Sequence, residues 1–238
     1  MQLSMQASRN GVLASAQAQD LIASNLANLN TTAFKRSKAE QSNFPIPGTR
    51  VSSTPMNFNQ GDLVATEREL DVGISGDGFF TVLKGGQPAY TRAGNFHADR
   101  DGTLVTPQGY PVEPQITIPP ESERVVIQAN GRVLSITNGG QTATEIGQIE
   151  AARFQNNLGL VPIGDNLFLE GPDSGPPQTG DFGEEGFPTV RQQSLEQSNV
   201  DLAEELTQEL ITQRSFQANL RAFSTSDELI GNTLDLFR

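Results

Sequence analysis

The fold is decided by the C-terminal stretch, in which residues 199–237 read NVDLAEELTQELITQRSFQANLRAFSTSDELIGNTLDLF. Steps of four and three from Leu202 keep returning to apolar residues, which is the period of a coiled-coil seam. Neither Gly nor Pro occurs between 199 and 230, and Asn199 is placed to cap the first turn. A helix of this length spans ~60 Å at ~1.5 Å per residue. We expect it to need helical partners, although a long core helix of an ordinary domain is the alternative.

The N-terminal stretch predicts a second helix over residues 2–29, rich in Ala and Ser. Gly11 weakens it by about 1 kcal/mol relative to Ala, so it should form when packed. Residues 1–38 hold four basic side chains and one acidic, whereas 195–238 hold eight carboxylates and three arginines. Opposite charge favours pairing the two helices. The predicted helix–helix assembly residues are Ile22, Leu26, Leu29, Leu202, Leu206, Leu210, Phe216, Leu220, Phe223, Ile230 and Leu234.

The middle of the chain has a different character, with short β-type runs separated by Gly, Pro and Asn. Strands are predicted at 79–83, 89–92, 95–98, 103–106, 109–112, 124–128, 132–136, 145–154 and 166–170. The predicted class is therefore α+β, with two long terminal helices forming a coiled-coil region and a central antiparallel all-β domain.

Five segments follow from this pattern. Residues 1–36 and 195–238 are the two paired coiled-coil helices, 73–171 the β-rich domain, and 172–194 a Gly- and Pro-rich return linker. Residues 37–72 are predicted to be an extended arm. Its candidate contacts to a neighbouring subunit are Phe44, Pro45, Ile46 and Pro47, since proline limits the conformations of the arm.

Composition excludes several functions. The net charge is −12 and no basic patch exists, which argues against nucleic-acid binding. No apolar run approaches the ~18 residues of a membrane span, so direct membrane insertion is not expected. The N-terminus also lacks the pattern of a secretory signal. Cysteine is absent, which removes disulfides and thiolate metal sites.

No catalytic, cofactor-binding or metal site is predicted. The single histidine, His97, falls in a predicted hairpin and no G-x-S-x-G motif marks a nucleophile. The glycines from Gly73 to Gly78 precede a strand, where a dinucleotide fingerprint would precede a helix. The loop from Asp99 to Gly102 resembles a hairpin turn more than a calcium loop. The sequence therefore predicts that the protein is not an enzyme.

Residues 21–35, LIASNLANLNTTAFK, resemble the N-terminal signature of bacterial flagellar basal-body rod and hook proteins. The motif positions are Asn25, Leu26, Ala27, Asn28, Asn30, Thr31, Phe34 and Lys35, and the family more usually has Gly where this chain has Ala33. Residues 198–206, 212–219 and 224–227 resemble the family's C-terminal signature, and 76–80 and 90–96 its central motif. The likeness covers nearly the whole chain and is closest to the distal rod subunits.

The resemblance implies a structural subunit of the rod, the drive shaft that carries torque from motor to hook. It implies export through the flagellar type III apparatus and assembly into a helical homopolymer spanning the periplasm. The other implied partners are the proximal rod proteins, the hook protein and the basal-body ring proteins, and no cofactor is implied.

The chain departs from the distal rod subunits in one respect. They often carry a longer insertion after the first helix, whereas only about twenty residues, 37–57, fill that region here. A proximal rod or hook-type subunit is therefore the alternative. A rod-associated peptidoglycan-cleaving enzyme and a secreted β-domain adhesin are weaker ones, because the first lacks a candidate acid and the second would not need both terminal helices.

Overall fold

The computed structural model describes residues 2–43, 49–137, 139–140 and 142–236. The chain divides into two compact units. The helical unit comprises Met1–Leu29, Lys35–Asn57 and Val200–Arg238, and the β unit comprises Asn30–Phe34 and Phe58–Asn199. The class is α+β, as predicted.

Two helices and a short hairpin build the helical unit. Helix α1 is Gln2–Ala27 and helix α2 is Leu202–Leu236. They are antiparallel, because Gly11 lies against Asn219 while Asn25 lies against Glu205. Strands β1 (Glu40–Asn43) and β2 (Thr49–Ser53) pair antiparallel, and β2 lies beside α1.

The helix ends follow from local side chains. The side chain of Asn28 donates to the carbonyl of Ser24 at 2.9 Å and competes with the helical ladder, as expected for the end of α1. The cap of α2 is Asp201, whose carboxylate accepts from the backbone N–H groups of Ala203 and Glu204. The prediction that Asn199 caps this helix is wrong, because the side chain of Asn199 donates to the carbonyl of Asn59 at 2.9 Å.

The region predicted as an extended arm is a hairpin in its first half. The pairing continues beyond β1 and β2, because Lys38 N–H donates to Pro55 O and Asn57 N–H donates to Arg36 O. The predicted arm contacts Phe44, Pro45, Ile46 and Pro47 lie outside the described residues.

The remaining strands belong to the β unit. They are β3 (Leu63–Ala65), β4 (Val72–Ser75), β5 (Phe79–Lys84), β6 (Gln87–Thr91), β7 (His97–Ala98), β8 (Leu104–Val105), β9 (Val112–Glu113), β10 (Arg124–Ile127), β11 (Arg132–Thr137), β12 (Thr142–Gln148), β13 (Glu150–Arg153), β14 (Val161–Pro162), β15 (Leu167–Leu169), β16 (Gln178–Asp181), β17 (Thr189–Gln192) and β18 (Ser194–Glu196).

The largest sheet has the order β14-β15-β6-β5-β13-β16, with β9 also paired to β5, and all of its pairs are antiparallel. Successive side chains of β5 point to opposite faces. Phe79 therefore joins a ring cluster with Phe58 and Phe168, while Phe80 packs on Phe96. Both rings are buried, so β5 is the centre of the core.

Several stretches differ from the predicted strands. Strand β3 lies in the second half of the predicted arm, and β4 and β14 lie where no strand was predicted. The single strand predicted at 145–154 is two strands, β12 and β13, on either side of the buried Ile149. The predicted linker 172–194 contains β16 and β17, and β18 begins at its last residue. A Cβ on Gly180 would lie 2.6 Å from the Phe187 ring, so glycine at that position lets the ring cover β16.

Candidate assembly surface

One side of α2 packs against α1 and recurs in steps of four and three. It consists of Glu205, Glu209, Thr212, Phe216, Asn219, Phe223 and Ser226, all buried or half-buried. Most of these side chains are polar, so this inner face buries little apolar area. Apart from Phe216 and Phe223, the large apolar residues described on α2 lie elsewhere on the helix.

Four leucines form an exposed apolar stripe on a different side of α2. Leu202, Leu206, Leu210 and Leu220 are 44–59% exposed. At ~100° per residue, the centre of the stripe is turned by roughly 100° from the inner face. Exposed large apolar side chains that cluster on one side mark an interaction surface. Helix α2 thus has one face covered within the chain and one uncovered.

The structure divides the predicted assembly residues between these two faces. Phe216 and Phe223 are half-buried on the inner face, and the four leucines form the stripe. On α1, Ile22 is buried and Leu26 is half-buried, as is Leu29 just beyond its end. Ile230 and Leu234 belong to the last turns of α2, and their side chains lie outside the described part of the chain.

A polar cluster lies where α1 and α2 meet the hairpin. The buried Asn25 donates to Ser37 O at 2.8 Å and to Glu205 Oε1 at 3.3 Å, and accepts from Ser37 N–H at 3.1 Å. Arg36 reaches both carboxylates of the first turn of α2, at 2.6 Å to Glu204 and 2.5 Å to Glu205. Glu205 has 1% of its side chain exposed, so this is a buried ion pair with an amide attached.

The carboxylate of Glu204 gives the helical unit a defined pH response. The hydrogen bond from Arg36 holds the pKa of Glu204 below its ordinary value, and the same bond raises the pKa of Arg36. A lowered folded-state pKa contributes stability above the unfolded pKa of about 4.3, and that stability is lost as pH falls through the folded pKa. Glu204 is 58% exposed, so the contribution is screened by solvent.

We therefore expect acid to weaken the helical unit less in a Glu204→Gln variant than in the native chain. An acid titration followed by far-ultraviolet circular dichroism measures this as the difference between the two curves below pH ~4.3. The comparison isolates one carboxylate, since all others are shared. Parallel curves would mean that Arg36 does not hold Glu204 in the folded state.

The family motif continues into the β unit at residues 30–34. Asn166 donates to the carbonyl of Thr32 at 2.9 Å, and Ala33 N–H donates to Glu196 O at 2.8 Å. Ala33 has a φ of 56° and is buried. This left-handed conformation suits glycine, the residue that the resemblance implies for this position.

Replacing Ala33 with glycine is expected to raise the free energy of unfolding of the β unit by up to about 1 kcal/mol. Left-handed backbone costs a non-glycine residue ~1–2 kcal/mol, offset in part by the greater chain entropy that glycine loses. Urea denaturation measures the change, and Ala33→Val, which adds branching at the same φ, should destabilise. If the glycine variant is less stable than the native chain, burial of the Ala33 methyl group stabilises the β unit more than the left-handed backbone destabilises it.

A second buried ion pair lies inside the β unit. Arg92 Nε donates to Glu196 Oε2 at 3.0 Å, and Arg92 Nη1 donates to the carbonyls of Gly76 and Gly78 at 2.8 and 2.6 Å. The other carboxylate oxygen of Glu196 accepts from Gly61 N–H at 3.0 Å. Four separate chain segments therefore meet at this pair.

Arg36, Arg92, Glu196 and Glu205 were not predicted as a site, because each one's ion-pair partner lies far away in the chain. For Glu205 the only signal was its place one residue before Leu206, which puts it on the neighbouring side of the helix. The structure also shows no group of three or more His, Cys, Asp or Glu side chains placed to hold a metal within the described residues. Among those residues, neither helix is long and apolar enough to cross a membrane.

Models of three protein families match this chain. The model described as flagella basal body rod protein matches residues 5–35, the D1 domain of the flagellar hook protein FlgE/F/G matches 73–135, and the C-terminal region of the flagellar basal body rod FlgEFG protein matches 191–236. The first and last matches contain the two helix-bearing ends, and the middle one lies in the β unit.

Comparison with curated proteins gives a more specific result. The flagellar basal-body rod protein FlgG of Borreliella burgdorferi is 37% identical, over 96% of each chain. FlgG of Caulobacter vibrioides is 36% identical over 91% of this chain and 92% of the relative, whereas FlgF of that organism is 30% identical over 88% and 87%. The chain therefore belongs to the flagellar basal-body rod protein family. It is a structural protein of the flagellar basal body and not an enzyme, and the higher identity to FlgG agrees with the resemblance to distal rod subunits.

Proposed function

We propose that this protein polymerises into the helical tube of the distal rod through a coiled coil of its terminal helices. Copies of the chain associate by burying the apolar stripe of α2 against helices of neighbouring copies. The observation that carries the proposal is the stripe itself, because α1 covers another side of α2 and leaves the four leucines exposed.

The energetics favour this use of the stripe. Fully burying a leucine contributes about 1.5–3 kcal/mol, so covering four that are half-exposed contributes on the order of 4 kcal/mol per subunit. The contact repeats at every subunit of a polymer. Charge contributes less, since exposed ion pairs are worth at most ~1 kcal/mol each.

The proposal includes the partners implied by the family. The tube spans the periplasm, adjoins the proximal rod at one end and the hook protein at the other, and turns inside the basal-body rings. Subunits reach it through the flagellar type III export apparatus. Assembly with basal-body components as a class follows from family membership, while these particular contacts are part of the proposal.

Electron microscopy and sedimentation of the purified chain test the proposal. The native chain should form straight tubes on concentration, and a Leu206→Asp variant should stay monomeric. Ser215→Asp is the matched control, because Ser215 is exposed on the opposite side of α2 from the stripe. A Leu206→Asp variant that forms normal tubes would remove the stripe from the assembly contact.

The arm at residues 37–57 is expected to control stiffness more than tube formation. A rod must resist bending, and a lining of helices alone still permits subunits to slide. Deleting residues 42–53, which removes most of the paired strands β1 and β2 and the connection between them, should leave export and polymerisation intact and yield curved tubes. Electron micrographs of the variant tubes give the measurement. Straight tubes would exclude the arm from stiffening, and complete failure to polymerise would make it an assembly element.

A further inference from the structure

The inner face of α2 does not by itself choose one register against α1. Its positions repeat every seven residues, so a slip of one heptad brings Phe216 to the height of Phe223, and Thr212 to that of Asn219. The facing side of α1 is lined mostly by small buried side chains at Ser8, Ala14, Ser15 and Ala18, with the larger Ile22 next to Asn25. Because small side chains recur along this side, a heptad slip meets a similar surface over most of the seam.

Two places break the repeat. A Cβ built on Gly11 would lie 2.6 Å from Asn219 Nδ2, so glycine makes a notch opposite Asn219. The second place is the cluster of Asn25, Arg36 and Glu205. A slip of one heptad moves Glu205 by about 10 Å along α1, away from both the amide of Asn25 and the guanidinium of Arg36.

We propose that Asn25, Arg36 and Glu205 act as a register lock that fixes the height at which α1 and α2 pair. Glu205 has 1% of its side chain exposed. A slip toward Ala18 would leave its carboxylate against α1 without its cation, and a slip the other way would take it past Ala27, away from both partners. Buried polar groups of this kind are known to specify register in helix pairs at some cost in stability. The lock acts within one chain. Its consequence for where the apolar stripe is presented rests on the proposed function.

The amide of Asn25 is held in place by the backbone of the segment that carries Arg36. Asn25 uses both ends of its amide on the backbone of Ser37, which fixes the rotamer that points Nδ2 at Glu205. Arg36 is the residue before Ser37, so the same backbone position delivers the cation. Residues 36 and 37, which precede β1, therefore connect Asn25 on α1 with Glu205 on α2.

The absence of native cysteine allows a direct test by disulfide formation. The in-register reporter is Gly11→Cys with Asn219→Cys, and the slipped reporters are Gly11→Cys with Thr212→Cys or with Ser226→Cys. The slipped reporters also carry Asn219→Ala, so that the cysteine at position 11 does not clash with the side chain of Asn219. The notch at Gly11 is therefore absent from every reporter, in-register and slipped alike. Each reporter is placed in the native background and in the triple variant Asn25→Leu, Arg36→Met, Glu205→Leu, and oxidised at a concentration where sedimentation shows monomer.

The native background should give the in-register disulfide almost alone. In the triple variant the ratio of slipped to in-register disulfide should rise at least about tenfold, while helix content by circular dichroism stays the same. Apolar replacements of a buried ion pair are often neutral for stability, so a merely structural role predicts no change in the ratio. An unchanged ratio in a folded triple variant overturns the proposal.

Glu205→Gln keeps the proposal testable if the triple variant does not fold. It retains the shape and loses the charge, and its slipped fraction should lie between those of native and triple variant. If the triple variant is unfolded and Glu205→Gln gives the same slipped fraction as the native background, the proposal is also overturned. Because every sample is monomeric, failure of the chain to polymerise would bear on the proposed function and not on this result.

Discussion

Replacing Arg92 with methionine is expected to lower the free energy of unfolding of the β unit by about 3–5 kcal/mol. The substitution leaves the carboxylate of Glu196 buried without its cation, which is the costly way to break a buried ion pair. It also removes the donor to the carbonyls of Gly76 and Gly78. This is a large fraction of the 5–15 kcal/mol that stabilises a typical domain.

Urea denaturation followed by tyrosine fluorescence measures this change in the β unit alone. The chain has two tyrosines, Tyr90 and Tyr110, and no tryptophan, and both tyrosines lie in the β unit. Arg132→Met is the matched control, since Arg132 is half-exposed and 4.0 Å from Glu145, and should cost less than ~1 kcal/mol. Equal losses in the two variants would mean that burial of the Arg92–Glu196 pair does not matter.

Substituting Leu220 with aspartate is expected to abolish tube formation and leave the single chain folded, whereas Phe223→Asp should also weaken the helical unit by roughly 2–3 kcal/mol. The two residues lie three positions apart, yet they are on different faces of α2. Leu220 is 44% exposed within the stripe, and Phe223 is half-buried on the inner face against α1. A charge at Leu220 is harmful only when a neighbouring subunit covers it.

Sedimentation gives the assembly state and circular dichroism with urea gives the stability of the helices. Ser215→Asp carries the same added charge, costs less helix propensity than Leu220→Asp, and should assemble like the native chain. If Leu220→Asp lowers the stability of the monomeric helices as much as Phe223→Asp does, the two faces of α2 are not separate. Normal assembly of Leu220→Asp would remove it from the subunit contact.

The fold class was predictable because its signals are local. The period of apolar residues marked α2, and the turn signals around Gly85 and Gly102 marked hairpins that the structure contains. The strands β16 to β18 were not predicted, since their pairing depends on residues more than 25 positions away, such as Glu150 with Asp181 and Gln192 with Val72. Gly and Pro content in that stretch indicated loops, and tertiary pairing overrode it.

The candidate site was predictable only in part. The apolar seam of α2 was visible, but the sequence alone could not show that the leucines and Phe223 belong to different faces, because a heptad pattern does not say which side meets α1. The lock residues carry no local signal. Asn25, Arg36 and Glu205 come from three segments. The bonds of Asn25 to Ser37 bring the first two together, and the antiparallel arrangement of α1 and α2 adds Glu205.

The pairing of β3 with β18 has a mechanical consequence. The chain enters this ladder at Asp62 and leaves it at Gln197. The backbone N–H of Gln197 donates a hydrogen bond to the carbonyl of Asp62 at 2.8 Å. A force that pulls the two points apart opens the ladder one bond at a time, so β3 and β18 cannot share the load along their length. The force passes next to Glu196, which Arg92 and Gly61 hold through its side chain and Ala33 through its carbonyl. We therefore expect a subunit pulled at these two points to be held mainly by the anchored side chain of Glu196, and less by the pairing of β3 with β18.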